Sequence, residues 1–446
     1  QVEPNSGDVT LSGGNTALNG GTVTTASGDI NVTGSLNMPG DGTLEATSGT
    51  IAMDAAVTNA GGTETLTLIT SNAVTQANTA GINVDQLALQ GTGTFTLDDA
   101  DNQISQLAAG IPGSDAPIGA LSVANAGILK VGTIGNQTGI LSTSTVDLSV
   151  GGSGEIQFDA DIESNAKQTY TGAMKLMSNV TMDAGAADIE FAGNMTNAGG
   201  TELLSLVTDS QVTQSGTIDV DALALNGAGD FIFHQAANQI SRLAAGVPES
   251  TAETTDENGN TVTVTVPAER IGQLTVNNTG ALEVGTTAAG TGDEQNGILA
   301  SGDVSLTAAG GDLTVSKAID TQSASTTALT LAETGSSGAI TLNADITTVG
   351  DQTYSGDQSG SHDVVIAGDV TLETTGTDRD IDFTGNTASA TGVQTLTLVT
   401  DGAMTHAGAL EVDKLALQGT ASYTLANTGN QIGLLAAGAA GERIPE

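Results

Sequence analysis

Catalysis needs reactive side chains at fixed spacing, and this chain offers few. Its histidines are His234, His362 and His406. Each sits in a different local sequence, so no interval between them repeats as metal ligands or a shared general base would. There is no cysteine, which excludes thiol nucleophiles and thiolate metal centres. The many serines contain no G-x-S-x-G elbow. With 51 Asp and Glu, some pair falls at glycosidase spacing by chance, so carboxylate pairing has no specificity here. Three stretches approach calcium loops and miss. The run DDADN at 98–102 becomes HQAAN at 234–238 and ANTGN at 426–430. DENGN at 256–260 has its glycine too early and Pro267 where the closing Glu belongs. GGSGEIQF at 151–158 carries Ile156 where a calcium β-roll places Asp. The expectation is no catalytic, cofactor-binding or metal residue and no cofactor, with weak Ca²⁺ binding left to the acidic surface.

Two polar positions do recur. Asn102, Asn238 and Asn430 repeat within N-Q-I, and Asp85, Asp221 and Asp413 repeat two residues before a Leu. Asn suits left-handed turns and hydrogen-bonded ladders, which favours a structural role. The Asp carboxylates read as caps on turn N–H groups, with a calcium ligand as the second reading.

The asparagines lie within, and the aspartates just before, one sentence written three times, at 87–110, 223–246 and 415–438. Leu, Gly, Asn and Ala stay fixed while the charges change. A reactive site would fix the opposite set. Aromatic residues obey the same rule. Phe95, Phe231 and Tyr423 share one offset, Met53, Phe191 and Phe383 another, and Tyr170 and Tyr354 match in QTYTG and QTYSG. Their place inside apolar runs marks them as core rather than a sugar-stacking stripe.

The elements that carry these residues alternate with period two. LTLIT (66–70), VDLSV (146–150) and TLTLVT (395–400) are examples. Glycine contributes 60 residues and aromatics 2 %, a composition for a thin repeated core rather than one large round one. Three short strands per coil of about 20–25 residues predict an all-β fold, a right-handed parallel β-helix forming an elongated solenoid rod. The intervals between copies locate two insertions. The stretch from Asn238 to Gly297 holds 22 residues more than that from Asn102 to Gly139, around PESTAETTDENGNTVTVTVPAER. Its Asn-Gly turn between alternating arms predicts an extruded β-hairpin near 249–270. The stretch from Leu299 to Gln352 holds 26 more than that from Leu141 to Gln168, one additional coil. The organisation expected is therefore N-terminal coils or a cap at 1–50, repeat 1 at 51–188, repeat 2 at 189–380 with insertions at about 249–270 and 305–335, and a partial repeat 3 at 381–446.

The net charge of −42 opposes binding to nucleic acid or anionic lipid. No run of 18 apolar residues is present, so no membrane-inserted helix is expected. The third copy stops shortly past its repeat, as part of a longer protein would.

The pattern L-x-L-x-G-x-G-x-F-x-L followed by N-x-I-x-x-L-A-A, with QTYTG and QTYSG, resembles the repeats of large bacterial exoproteins of the filamentous haemagglutinin type. That resemblance implies a β-helical shaft at the cell surface or in the extracellular space, a partner barrel in the outer membrane for export, and a role in adhesion, biofilm or matrix. The partners implied are a host or neighbouring-cell surface, matrix polysaccharide, or copies of the chain itself. The leading expectation is a non-catalytic structural and adhesive shaft. A self-assembling filament or sheath subunit aided by divalent cations is the alternative, and a β-helical carbohydrate-active enzyme stands third.

Overall fold

The computed structural model describes residues 7–59, 61–111, 116–255, 261–288, 294–356 and 363–438. His362 and the DENGN stretch lie outside them. Among the described residues there is no helix, and the chain is a parallel β-solenoid. It divides into two compact units, residues 1–208 with 213–216, and residues 209–212 with 217–446.

In the first unit most coils are built of three short strands joined by tight corners, and in the two coils between 73 and 109 the second and third strands run together as Asn83–Gln90 and Gln103–Ala109. The first strand of successive coils falls on Val9–Leu11, Ile30–Val32, Ile51–Met53, Ala73–Gln76 and Thr94–Leu97. Val9 lies against Ile30, Ile30 against Ile51, and Val74 against Phe95, all parallel. The steps of 21 to 23 residues between stacked partners follow from the sequence. An apolar-x-apolar triplet points both apolar residues inward, and a coil of constant length puts the next triplet on top of it. Ile30, Val32, Ile51, Met53, Val74 and Phe95 are all fully buried. Each such side chain gains about 1.5–3 kcal/mol from leaving water, and the parallel ladder uses its backbone groups.

The thrice-written sentence is one coil together with the layer on which it rests. Leu87, Ala88 and Leu89 lie directly against Leu107, Ala108 and Ala109, so the head of the sentence stacks on its own tail. The second copy does the same with Leu223 on Leu243 and Leu225 on Ala245, and the third with Leu415 on Leu435 and Leu417 on Ala437. Fixed glycines sit where the backbone turns. Gly91, Gly227 and Gly419 have φ of 86°, 86° and 91°, and Gly110, Gly246 and Gly438 have 75°, 75° and 83°. L side chains are strained in that region, so both turns require Gly.

The second unit repeats this plan with the two extra pieces. Ser250–Thr255 and Thr261–Val266 pair antiparallel as a separate two-stranded sheet, with Val247 bridging Glu269 at its base. Between Leu299 and Gln352 the chain completes two coils. The first is Val304–Ala308, Leu313–Val315 and Ile319–Thr321, and the second is Leu329–Glu333, Ile340–Leu342 and Ile346–Thr348. Between Leu141 and Gln168 it completes one, made of Val146–Val150, Glu155–Phe158 and Ile162–Ser164. A solenoid accepts a whole added turn because each layer touches only its neighbours; Val304 and Leu306 pair with Leu329 and Leu331 as any other layers do.

Candidate functional site

Asn102 and Asn238 are fully buried and Asn430 is half-buried, and all three hydrogen-bond to backbone. Asn102 Oδ1 accepts the Ile82 N–H at 2.7 Å, and its Nδ2 donates to Leu97 O and Ala124 O at 3.0 Å each. Gln76 in the coil below donates to the same Oδ1 at 2.6 Å. Asn125, one coil on, accepts the Ile104 N–H at 2.8 Å. Asn238 and Asn278 repeat the arrangement with Ile218 N and Ile240 N at 2.9 and 2.7 Å, and Asn430 accepts Leu410 N at 2.9 Å. Within each unit these side-chain amides line an inner corner of the coils. Of the two structural uses that suit Asn, the ladder is made and the left-handed turn is not, because Asp378 is the only non-glycine at positive φ among the described residues. Burial explains why this residue type is fixed: each amide satisfies corner N–H and C=O groups that water cannot reach.

The QTY units have an equally internal purpose. Gln and Tyr two residues apart share one face of a strand. Tyr170 and Tyr354 are fully buried and donate to Gln168 Oε1 at 2.8 Å and Gln352 Oε1 at 2.7 Å. Burial pushes both phenols well above their ordinary pKa. The rings stack along the axis. Tyr170 lies 5.7 Å from Phe191 and meets Phe158 edge-on at 5.1 Å, while Tyr354 lies 4.8 Å from Phe383. The expectation of a core role is met at Phe95, Phe158, Phe191, Phe231, Phe233 and Phe383, all buried. Tyr423 in the third copy is half-buried.

His406 occupies the place that Gln76 holds in the first copy. Gln76 pairs with Met53 and His406 with Phe383, which share one offset. The imidazole stacks on Phe383 at 5.3 Å, with Nδ1 3.0 Å from Gly408 O and Nε2 2.9 Å from Thr387 Oγ1. Burial lowers its pKa below 6.5, partly offset by the Gly408 carbonyl. The neutral ring is therefore the folded form. Stability from this group is present above pH 6.5 and is lost as pH falls through the lowered value. Replacing His406 with Gln, the residue its sister positions use, should leave the fold intact and flatten this dependence. Urea midpoints compared at about pH 7.5 and about pH 5 check it; an unchanged acid loss in the variant assigns the dependence elsewhere.

The recurring Asp residues sit at a strand bend, half-exposed, where pairing skips them: the register runs Val84 then Gln86, and Val220 then Ala222. The expected cap on a turn N–H is not made by Asp85, whose Oδ2 accepts the side-chain amide of Asn59 at 2.6 Å. At an interrupted ladder the side chain points to the neighbouring coil's polar edge instead. Among the described residues no three His, Asp or Glu gather as metal ligands do.

A second set of acids, missed in the sequence reading, does cap. Asp29 Oδ1 accepts Thr50 N at 2.7 Å, and that hydrogen bond holds its carboxyl below the ordinary value of 3.8. Asp161, Asp345 and Asp369 accept Thr181 N, Thr371 N and Thr395 N, each at 2.7 Å. All four directly precede an Ile or Val that opens a strand. That local signal, Asp then a β-branched residue, could have found them. The geometry makes each carboxylate the acceptor for an N–H one coil later, so part of the acidity is structural.

One outward recess is a trough of about 500 Å³ in the first unit. Its floor is the outer side of Gly21–Thr25, Gly42–Ala46, Thr65–Thr70 and Asn83–Gln90, presenting Thr22, Thr43, Thr67, Gln86 and Gln90. Its wall is the small hairpin of Thr133–Ile134 and Gln137–Thr138. Ile134 packs on Ala88 and Ala108, and Gln137 Nε2 donates to Leu89 O and Gly110 O at 2.8 Å. The fixed Ala88 is small because the hairpin lies on it. In the second unit Thr286–Ala288 and Glu294–Asn296 form the matching hairpin, and Gln295 Oε1 accepts Leu225 N at 3.1 Å. The trough's one carboxylate, Asp41, already accepts Thr65 N at 2.9 Å. Hydroxyls and amides in such a row can hold a neutral polar chain; they do not form a nucleophile and base. Compared with known protein families, curated proteins and solved structures, the chain finds no match.

Proposed function

We propose that this chain is a non-catalytic structural and adhesive shaft, a segment of a bacterial exoprotein of the filamentous haemagglutinin type, working at the cell surface or outside the cell. The observation that carries the reading is where the repeated residues go. Asn102 and its sisters, the Leu-Ala-Leu heads, the glycines and the QTY units all serve stacking inside the solenoid. What varies between copies is the outward surface. A protein that repeats its support and varies its exterior offers length and contact area rather than one reaction centre. The hydroxyl and amide trough supplies a contact suited to matrix polysaccharide, and the acidic surface disfavours nucleic acid.

Immunogold labelling of intact cells of the source organism, with beads coated in the purified chain applied to its matrix, tests this. Label on unpermeabilised cells and bead retention are the expected results. Label only after permeabilisation overturns the location, and release of reducing ends from acidic or neutral polysaccharides overturns the non-catalytic assignment.

A further inference from the structure

The two small hairpins that fold over the sheet share one base but close differently. In the first unit Gly132 N donates to Leu107 O and Gly139 N to Gly132 O. In the second, Gly285 N donates to Leu243 O and Gly297 N to Gly285 O. That frame sets Thr286, Thr287, Gln295 and Asn296 in the places of Thr133, Ile134, Gln137 and Thr138. On the strand beneath, Asn226 stands where Gln90 does, one residue past the Leu-Ala-Leu head.

The first hairpin closes by direct contact. Ile134 packs on Ala88 and Ala108, and Gln90 Nε2 donates to Gln137 Oε1 at 3.1 Å. In the second unit both neighbours of the shared Gln change. Asn226 is one methylene shorter than Gln90, and Thr287 puts a hydroxyl where Ile134 is wholly apolar. Gln295 and Thr287 are buried and lie opposite one another across the hairpin. Gln295 Oε1 accepts Leu225 N at 3.1 Å, and Asn226 is the next residue along. Three buried atoms then have no hydrogen-bond partner among the described residues: Gln295 Nε2, Asn226 Oδ1 and Thr287 Oγ1. Buried polar groups are almost always satisfied, so three orphans at one place point to a ligand.

We propose that this corner of the second unit binds one water molecule, which accepts from Gln295 Nε2, donates to Asn226 Oδ1 and bonds the Thr287 hydroxyl. Three hydrogen bonds are what a buried water makes. The same two exchanges supply the room. Gln to Asn and Ile to Thr each remove one heavy atom, and a water takes ~30 Å³. A cation is disfavoured, because Gln295 turns N–H groups to the site and none of the three residues is a carboxylate. The second hairpin is thus held through water where the first is held directly.

The test uses the full chain. A high-resolution crystal structure should show a density peak about 2.7–3.2 Å from all three atoms. Oxygen-17 relaxation dispersion of the solvent counts long-lived internal waters separately. Asn226→Gln with Thr287→Ile, which copies the first unit, should lose about one of them. A native crystal with no peak there, or with Gln295 Nε2 bonded directly to Asn226 Oδ1, overturns the proposal. So does a folded double variant whose dispersion matches the parent's.

Discussion

Tyr170→Ala is expected to destabilise the first unit by about 3–5 kcal/mol, the range for removing a large buried ring. Tyr170 is fully buried, lies between Phe158 and Phe191, and gives its hydroxyl to Gln168. Removing the ring empties a layer that cannot collapse, because the coils above and below are held in register by their ladders. Tyr170→Phe separates packing from hydrogen bonding. It keeps the ring but leaves Gln168 Oε1 without its phenol donor in a dry core, a loss of about 1–3 kcal/mol. Gln168 cannot turn away, since its Nε2 is held by Asp183 O at 2.6 Å and Ser164 Oγ at 3.0 Å. Repeat arrays can lose coils separately, so hydrogen exchange across 146–192 should accompany the denaturation curve. The same residue sets an alkaline limit. Its folded pKa lies above the ordinary 10.0, so its contribution is complete below that pH and is lost as pH rises through the folded value. A cost for Tyr170→Ala below about 1 kcal/mol, an exposed-site value, would remove the axial ring stack from the account.

Asn102→Leu should be as severe, at more than about 3 kcal/mol, although leucine is the better residue for an apolar core. The replacement fills similar volume but strands the Ile82 N–H and the Leu97 and Ala124 carbonyls, none of which can turn to water. Asn102→Asp keeps an acceptor for Ile82 and removes both donors, and it places a charge in a dry corner, so it should also destabilise. The contrast is Asp85→Ala. That carboxylate is equally recurrent but half-exposed with a side-chain partner, and its loss should stay within about 0.5 kcal/mol. Comparable urea midpoints for Asn102→Leu and the parent would reduce the ladder to a by-product of stacking.

Recurrence alone did not separate these two residues. Asn102 and Asp85 repeat equally often in the sequence, and a structural role was the leading expectation for both. Their difference is a matter of depth. Asn102 sits on the inner side of a corner, where every polar group must find protein. Asp85 sits where a strand bends outward and the ladder skips a residue. Corner carboxylates such as Asp29 and Asp161 escaped notice for a related reason. Their partners, Thr50 and Thr181, are a whole coil away, and that distance in sequence becomes contact only once coil length is known.

His406 gives the same lesson from the other side. No histidine stands at its sister positions, so it looked isolated, yet it fills the slot of Gln76. Two residues of unlike chemistry share the slot because both can reach the adjacent corner carbonyl, Gln76 to Ala80 and His406 to Gly408. The trough had no sequence signal either. It exists because a hairpin 45 residues downstream of Ala88 in the first unit folds back across the sheet, and only the pairing order brings Ile134 to Ala88.

By itself the sequence determined the strand period, the coil length, the three copies, the extruded hairpin and the residues of the core. Those depend on local alternation and on like stacking upon like, which a repeated text displays openly. The tertiary structure alone decided which polar residues are partners and where the surface is hollowed. Those follow from which coils lie next to each other and how far each side chain stands from water, and neither is written within one turn of the chain.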